Sequence, residues 1–276
     1  MRMTTSVAGA SMAFAKKLYD RGTDCFGSDE IKQVFGIELD LANVPPIPFS
    51  EEELLRAHAL GQSPFLFVDK TKNGKPLTMM AMRDQFKNKL GDGKLLFNTD
   101  WYEKKNKEAF FLSETPTFGW KLVSREVIPD SLGKDYLGQT QILADYVRDR
   151  VYKGVEMPPL YQKAIDELAE RKEELAKIVR KDWKQGAEAL VDLKINQLFR
   201  ETPVEVLYRL VVYYKVNKER LLPATYAWTK KNPAIGCIVY VGRCGSRGVY
   251  VDDGGPDGSN SNLGVCFSRS SVPLES

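Results

Sequence analysis

The chain has 276 residues, 43% hydrophobic and 28% charged, the make-up of a globular protein long enough to bury a sizeable core. Forty Lys and Arg against 37 Asp and Glu leave a formal charge of +3, too small to argue for a nucleic-acid partner or an anionic membrane surface. No apolar run is long enough for a membrane-spanning helix, which excludes a membrane as an expected partner.

The opening stretch MRMTTSVAGASMAFAKKLYD only faintly imitates a secretory signal: Thr, Ser and Gly interrupt it, and Lys16-Lys17 would follow the cut. A cytoplasmic protein is expected, with Met12 as an alternative start. A short amphipathic helix is predicted over 12–21, before Gly22. The run Val44-Pro45-Pro46-Ile47-Pro48 is an extended connection, because proline fixes φ and restricts the residue before it. Ser50 and Glu53 form a capping box that opens a helix running to about Leu60, where Gly61 supplies a left-handed stop.

Residues 64–68 read as a buried strand followed by a tight turn at Asn73-Gly74. Helical spacing over 77–90 ends at Gly91-Asp92-Gly93, and aromatic-rich strands are predicted over 94–98, 109–112 and 118–126. The middle turns helical: 136–153, a break at Met157-Pro158-Pro159, then a long tract over 160–199 with a second break near Gly186. Thr202-Pro203-Val204-Glu205 is a second capping box, with proline where its missing N–H costs nothing.

Four strands close the sequence, over 225–229, 235–241, 248–251 and 263–268. The expected fold class is α+β: a mixed α/β N-terminal region over 1–125, then, over 126–276, a helical segment and an antiparallel β meander packed on a helix. In that packing Leu207, Leu210 and Val211 meet Ile238, Val239 and Val241, because consecutive elements usually adjoin.

Four candidate chemistries arise. Gly242, Gly245 and Gly248 lie between strands, so a hairpin turn is expected rather than a phosphate loop, which needs a helix directly after its glycines; anion binding by Arg243 and Arg247 is the alternative. Asp252, Asp253 and Asp257 with Asn260 would suit a loose calcium site, but Gly255 and Gly264 break the EF-hand pattern, and turn chemistry explains the composition. Asp92, Glu103 and Lys105 have the spacing of a Mg²⁺-dependent nuclease, in which carboxylates bind the ion and lysine steadies the phosphate; a charged turn accounts for the same residues. Cys25 and His58 are the only nucleophile and base to pair, His58 being the single histidine. Cys25, Cys237, Cys244 and Cys266 form no C-x-x-C, so reduced, unmetallated thiols are expected, and no cofactor.

Several phrases recur together: VPPIPFS at 44–50, Gly61-Gln62, GKPLT at 74–78, Trp101-Tyr102, GWKL at 119–122, IPDS at 128–131 with Lys134 and Gln139-Thr140, and TYAWT at 225–229. In these the chain resembles a family of uncharacterised bacterial proteins of reduced-genome and candidate-phylum lineages, from about residue 26 onward. The family has no assigned activity, so the resemblance implies a bacterial, cytoplasmic protein and no mechanism. Abundant aromatics without a dense catalytic cluster point to a non-enzymatic soluble binding or interaction protein with a protein partner. The alternative is a Mg²⁺-dependent nuclease or other phosphodiester hydrolase.

Overall fold

A computed structural model describes residues 7–19, 24–40, 44–233 and 236–271. Predicted helix positions 20 and 21, strand position 235 and the first six residues, with the start at Met1, lie outside that set. The architecture is α+β. No helix of the described residues is long and apolar enough to cross a membrane.

Helix α1 (Val7–Leu18) precedes α2 (Ser28–Phe35), which the sequence reading missed, and α3 (Glu51–Ala59) starts at the predicted Ser50/Glu53 box. Strand β1 (Gln62–Phe67) is buried at every position, so it carries no polar alternation. Pro64 is tolerated because β1 is an edge strand of its sheet, and Phe26 covers that edge: its N–H donates to Pro64 O at 2.9 Å.

Helix α4 (Met79–Gln85) is shorter than the predicted 77–90. Lys87 and Asn88 take φ of 52° and 51°, which ends the helix and turns the chain into β2 (Lys89–Leu90), paired with β3 (Gly93–Lys94). After β4 (Leu96–Phe97) comes a π-helical turn, Trp101–Lys105. The strand expected over 109–112 is instead helix α5 (Ala109–Leu112). Phe110 and Phe111 are both buried, and a short apolar run has no periodicity to separate strand from helix.

Strand β5 (Gly119–Ser124) leads to α6 (Tyr136–Tyr146), which passes into a π-helical turn, Val147–Val151. The long tract divides into α7 (Pro159–Lys181), α8 (Trp183–Val191) and α9 (Lys194–Phe199). The break falls at Asp182, whose carboxylate accepts from the amides of Lys184 and Gln185, rather than at Gly186. Gly186 has a packing role: a Cβ there would lie 2.7 Å from Val179 Cα, so only glycine lets α8 lie against α7.

Helix α10 (Pro203–Asn217) opens at the predicted box, and every residue from Pro203 to Tyr213 is buried. It is the axis of the largest core, packed between α2, α4, α5 and β1 on one side and the C-terminal sheet on the other. Thr202 Oγ accepts from Glu205 N, and Glu205 Oε2 accepts from Thr202 N at 3.0 Å. Thr202→Ala removes one of these bonds and is expected to cost about 1 kcal/mol in urea unfolding.

Strands β6 (Tyr226–Trp228), β7 (Ile238–Gly245), β8 (Gly248–Gly254), β9 (Leu263–Gly264) and β10 (Ser268–Ser270) complete the chain. A pure antiparallel meander was expected, and β6, β7 and β8 are antiparallel. The five-stranded order is β4-β8-β7-β6-β9, however, with parallel β4/β8 and β6/β9 pairs. Because β4 occupies the outer edge of β8, β9 docks on β6 instead. Strand β10 leaves for the other sheet, β1-β5-β10, so both sheets draw strands from either side of residue 125.

Leu207, Leu210 and Val211 share a core with Val239 and Val241, while Ile238 belongs to a second core with Tyr226 and Trp228. Side chains alternate along a strand, so Ile238 cannot face the helix that Val239 and Val241 face.

Candidate functional site

Charge inside the fold concentrates where α9 meets α10. Arg200 ends α9 in extended geometry, Glu201 follows, and Thr202 and Glu205 start α10, with Arg209 one turn further on. Arg209 and Glu201 are fully buried, at 0% and 2% side-chain exposure, and joined through both carboxylate oxygens at 2.8–3.2 Å. Burial opposes the Arg209 charge, and Glu201 more than offsets it. The Cys266 thiol lies beside this guanidinium, and burial pushes it up to about 11.

Glu205 serves two ends. Its Oε2 closes the helix cap, and its Oε1 accepts from Lys121 Nζ of β5 at 2.5 Å and from Thr117 N at 3.2 Å. Burial disfavours its charge, yet Lys121, Lys230 and the Thr202 amide outweigh that and hold its carboxyl below the usual range.

Arg200 is 1% exposed and held by neutral groups: Asn196 Oδ1 at 2.8 Å, Thr140 Oγ1 at 3.2 Å and the Tyr136 ring 4.0 Å from its guanidinium carbon. Asn196 sits four residues earlier on α9, one helical turn away. Burial alone pulls the Arg200 pKa down, since no carboxylate pairs with it among the described residues. Lys230 follows β6, and its Nζ donates to Gln197 O of α9 at 2.5 Å. Burial lowers its pKa to about 8.

Lys121, Arg200 and Lys230 line a cavity of about 130 Å³ with Tyr161, Gln197 and the serines of β10 and its end, Ser268, Ser270 and Ser271. None of the residues lining it is acidic. Lys121 and Arg209 are paired with Glu205 and Glu201, which leaves the buried Arg200 and the half-buried Lys230 without a carboxylate partner among the described residues. A larger cleft of about 850 Å³ runs along residues 124–130 and α6, but it presents both signs, and much of its charge is already paired: Arg125 with Asp24, and Asp145 and Asp149 with Arg148. A cleft of about 500 Å³ at the Asn73-Gly74 turn also lacks an acid, but its two cations, Lys72 and Lys75, are exposed, whereas Lys121 and Arg200 of the small cavity are buried.

The residues singled out from the sequence lie elsewhere. Arg243 and Arg247 border the β7–β8 hairpin and both stack on Tyr250, each guanidinium carbon 5.7 Å from the ring centre. Asp252 and Asp253 are neighbours on β8 with carboxyls raised by burial, and Asp257 lies in the loop beyond. The described residues contain no His, Cys, Asp and Glu group arranged to hold a metal. Asp92 pairs with Arg220 and Glu103 with Arg83, so the two acids are engaged by different arginines, and Lys105 ends the π-helical turn. His58 stacks edge-on against Tyr19 at 5.0 Å, and burial pushes the Cys25 thiol up to about 12, far from thiolate character. All four cysteines are free thiols.

From the sequence, Lys121 of the pocket and Thr140, which holds Arg200, lie inside recurring phrases, Glu205 is expected only as a cap, and Arg200 and Lys230 carry no expectation. Arg209 was the available signal. It interrupts an apolar helix, VEVLYRLVVYY, and a charge in a helix buried all round must find a partner.

Fold and pocket together define an α+β protein with a small, partly open cationic cavity between β5, β10, α7 and α9. No protein-family profile, curated protein or solved structure matches the chain.

Proposed function

We propose that the protein is a non-enzymatic binding protein whose ligand places a small anionic group, a carboxylate or a phosphate, among Lys121, Arg200 and Lys230. The carrying observation is the excess positive charge lining a cavity without an acid. Buried charge is costly unless paired, and an anion in that cavity supplies the missing partner. About 130 Å³ takes a single such group and a few more atoms, where pockets for drug-sized ligands run to roughly 300 Å³ and above.

Phosphate, sulfate and acetate, each compared with chloride at equal ionic strength, are the test. A ligand that binds only the folded state stabilises it by about 2.7 kcal/mol at roughly 100 times Kd. At least one of the three should raise the melting temperature, and Lys230→Met should abolish the rise. Arg243→Ala and Arg247→Ala should preserve it; loss in these variants would move the site to the hairpin. If none of the anions stabilises the wild-type chain beyond chloride, the reading fails.

The pH dependence has a definite sign. Lys230 carries its charge below about 8 and loses it above. The charged amine attracts the anion, so affinity should fall as pH rises from 7 to 9, and binding at pH 8 should take up protons, measurable by calorimetry in buffers of different ionisation enthalpy.

A further inference from the structure

The cations of the pocket differ in what holds them. Lys121 is pinned to Glu205 at 2.5 Å, and Arg200 is braced by Asn196, Thr140 and Tyr136. Lys230 meets no carboxylate within ion-pair distance among the described residues; its Nζ donates to a backbone carbonyl, Gln197 O. Two of the three are therefore fixed anion holders, and the third is a half-buried amine with a replaceable partner, lining the same partly open cavity.

We propose that Lys230 captures a small 2-oxo acid as an imine, with Lys121 and Arg200 holding the carboxylate. This rests on the anion-binding reading and adds the carbonyl to it. A 2-oxo acid has its carbonyl carbon bonded directly to the carboxylate, so an acid held by Lys121 and Arg200 brings that carbon into the small cavity that Lys230 lines. Three-carbon and smaller acids suit the volume.

In the reaction the neutral amine attacks the carbonyl carbon and the C–N bond forms, while the carbonyl π pair moves to oxygen. A proton passes from nitrogen to that oxygen, giving a carbinolamine. The C–O bond then breaks and water leaves, carrying the carbonyl oxygen and both amine hydrogens, and the C=N bond remains. Nothing is oxidised or reduced, and no co-reactant is needed.

The partial burial that makes Lys230 a poor ammonium makes it a better nucleophile, as for lysines desolvated beside another cation. At pH 8 its neutral fraction exceeds that of an ordinary surface lysine by about 100-fold. A structural reading also exists: the amine caps a free carbonyl near the C-terminus of α9. That role needs only an N–H donated to the carbonyl and predicts no selective chemistry.

Glyoxylate and pyruvate with borohydride at pH 8 separate the two. Intact mass spectrometry should show one dominant reduced adduct, and peptide mapping should place it on Lys230, well above every other lysine. The anion found to stabilise the wild-type protein should suppress that adduct in competition, a control that involves no substitution and no risk of misfolding. Lys230→Arg, which keeps charge and length, should lose the adduct. No adduct, or one spread evenly over the surface lysines, overturns the proposal. Anion stabilisation without the adduct defeats the imine alone, whereas absence of both defeats the binding reading as well.

Discussion

Glu201→Gln is expected to destabilise the protein by about 3–5 kcal/mol, the usual consequence of removing one partner from a buried ion pair. The substitution keeps the size and one oxygen of Glu201 but leaves the Arg209 guanidinium, with a side chain at 0% exposure, charged and unpaired. The cost comes from desolvation: the attraction between the partners only repays what burial takes. A second substitution should therefore recover much of the loss. Glu201→Gln with Arg209→Met removes the stranded charge and is expected to be clearly more stable than Glu201→Gln alone, because apolar replacements of buried pairs are often neutral or better. Urea unfolding of the three variants measures this. A cost below about 1 kcal/mol for Glu201→Gln would mean that water reaches the pair, since exposed pairs are worth no more than that.

Leu210→Ala should cost about 2–5 kcal/mol, the range for deleting a buried leucine side chain that leaves a cavity. Leu210 is 0% exposed on a helix enclosed from both sides, so neighbouring side chains have little freedom to fill the space. Thr202→Ala, at about 1 kcal/mol, provides the comparison within the same helix. If the leucine variant unfolds no more easily than the cap variant, α10 is not the axis of the core, and the packing of Val239 and Val241 against it is wrong.

Local chemistry was legible where a few adjacent residues decide the outcome. Ser50/Glu53 and Thr202/Glu205 announced the starts of α3 and α10 because each box satisfies backbone donors within one turn. The glycines at 242–248 read correctly as hairpin rather than helix entry, since no helix follows. Reading failed where two states satisfy the same pattern: Phe110-Phe111 is apolar on both sides, and helix or strand was then settled by neighbours such as Tyr102, which packs on both rings.

The pocket shows the same boundary more sharply. By itself the sequence determined that Glu205 closes a helix cap and that Leu207, Leu210 and Val211 of the helix it opens are core. Only the tertiary structure decided that Glu201 pairs with Arg209, that Lys121, 84 residues before Glu205, reaches its second oxygen, and that Arg200 and Lys230 open onto one cavity. Backbone donors at a helix start are fixed within four residues and their partners are near in sequence, whereas a buried ion takes whichever opposite charge the packed elements bring to it, at any separation along the chain.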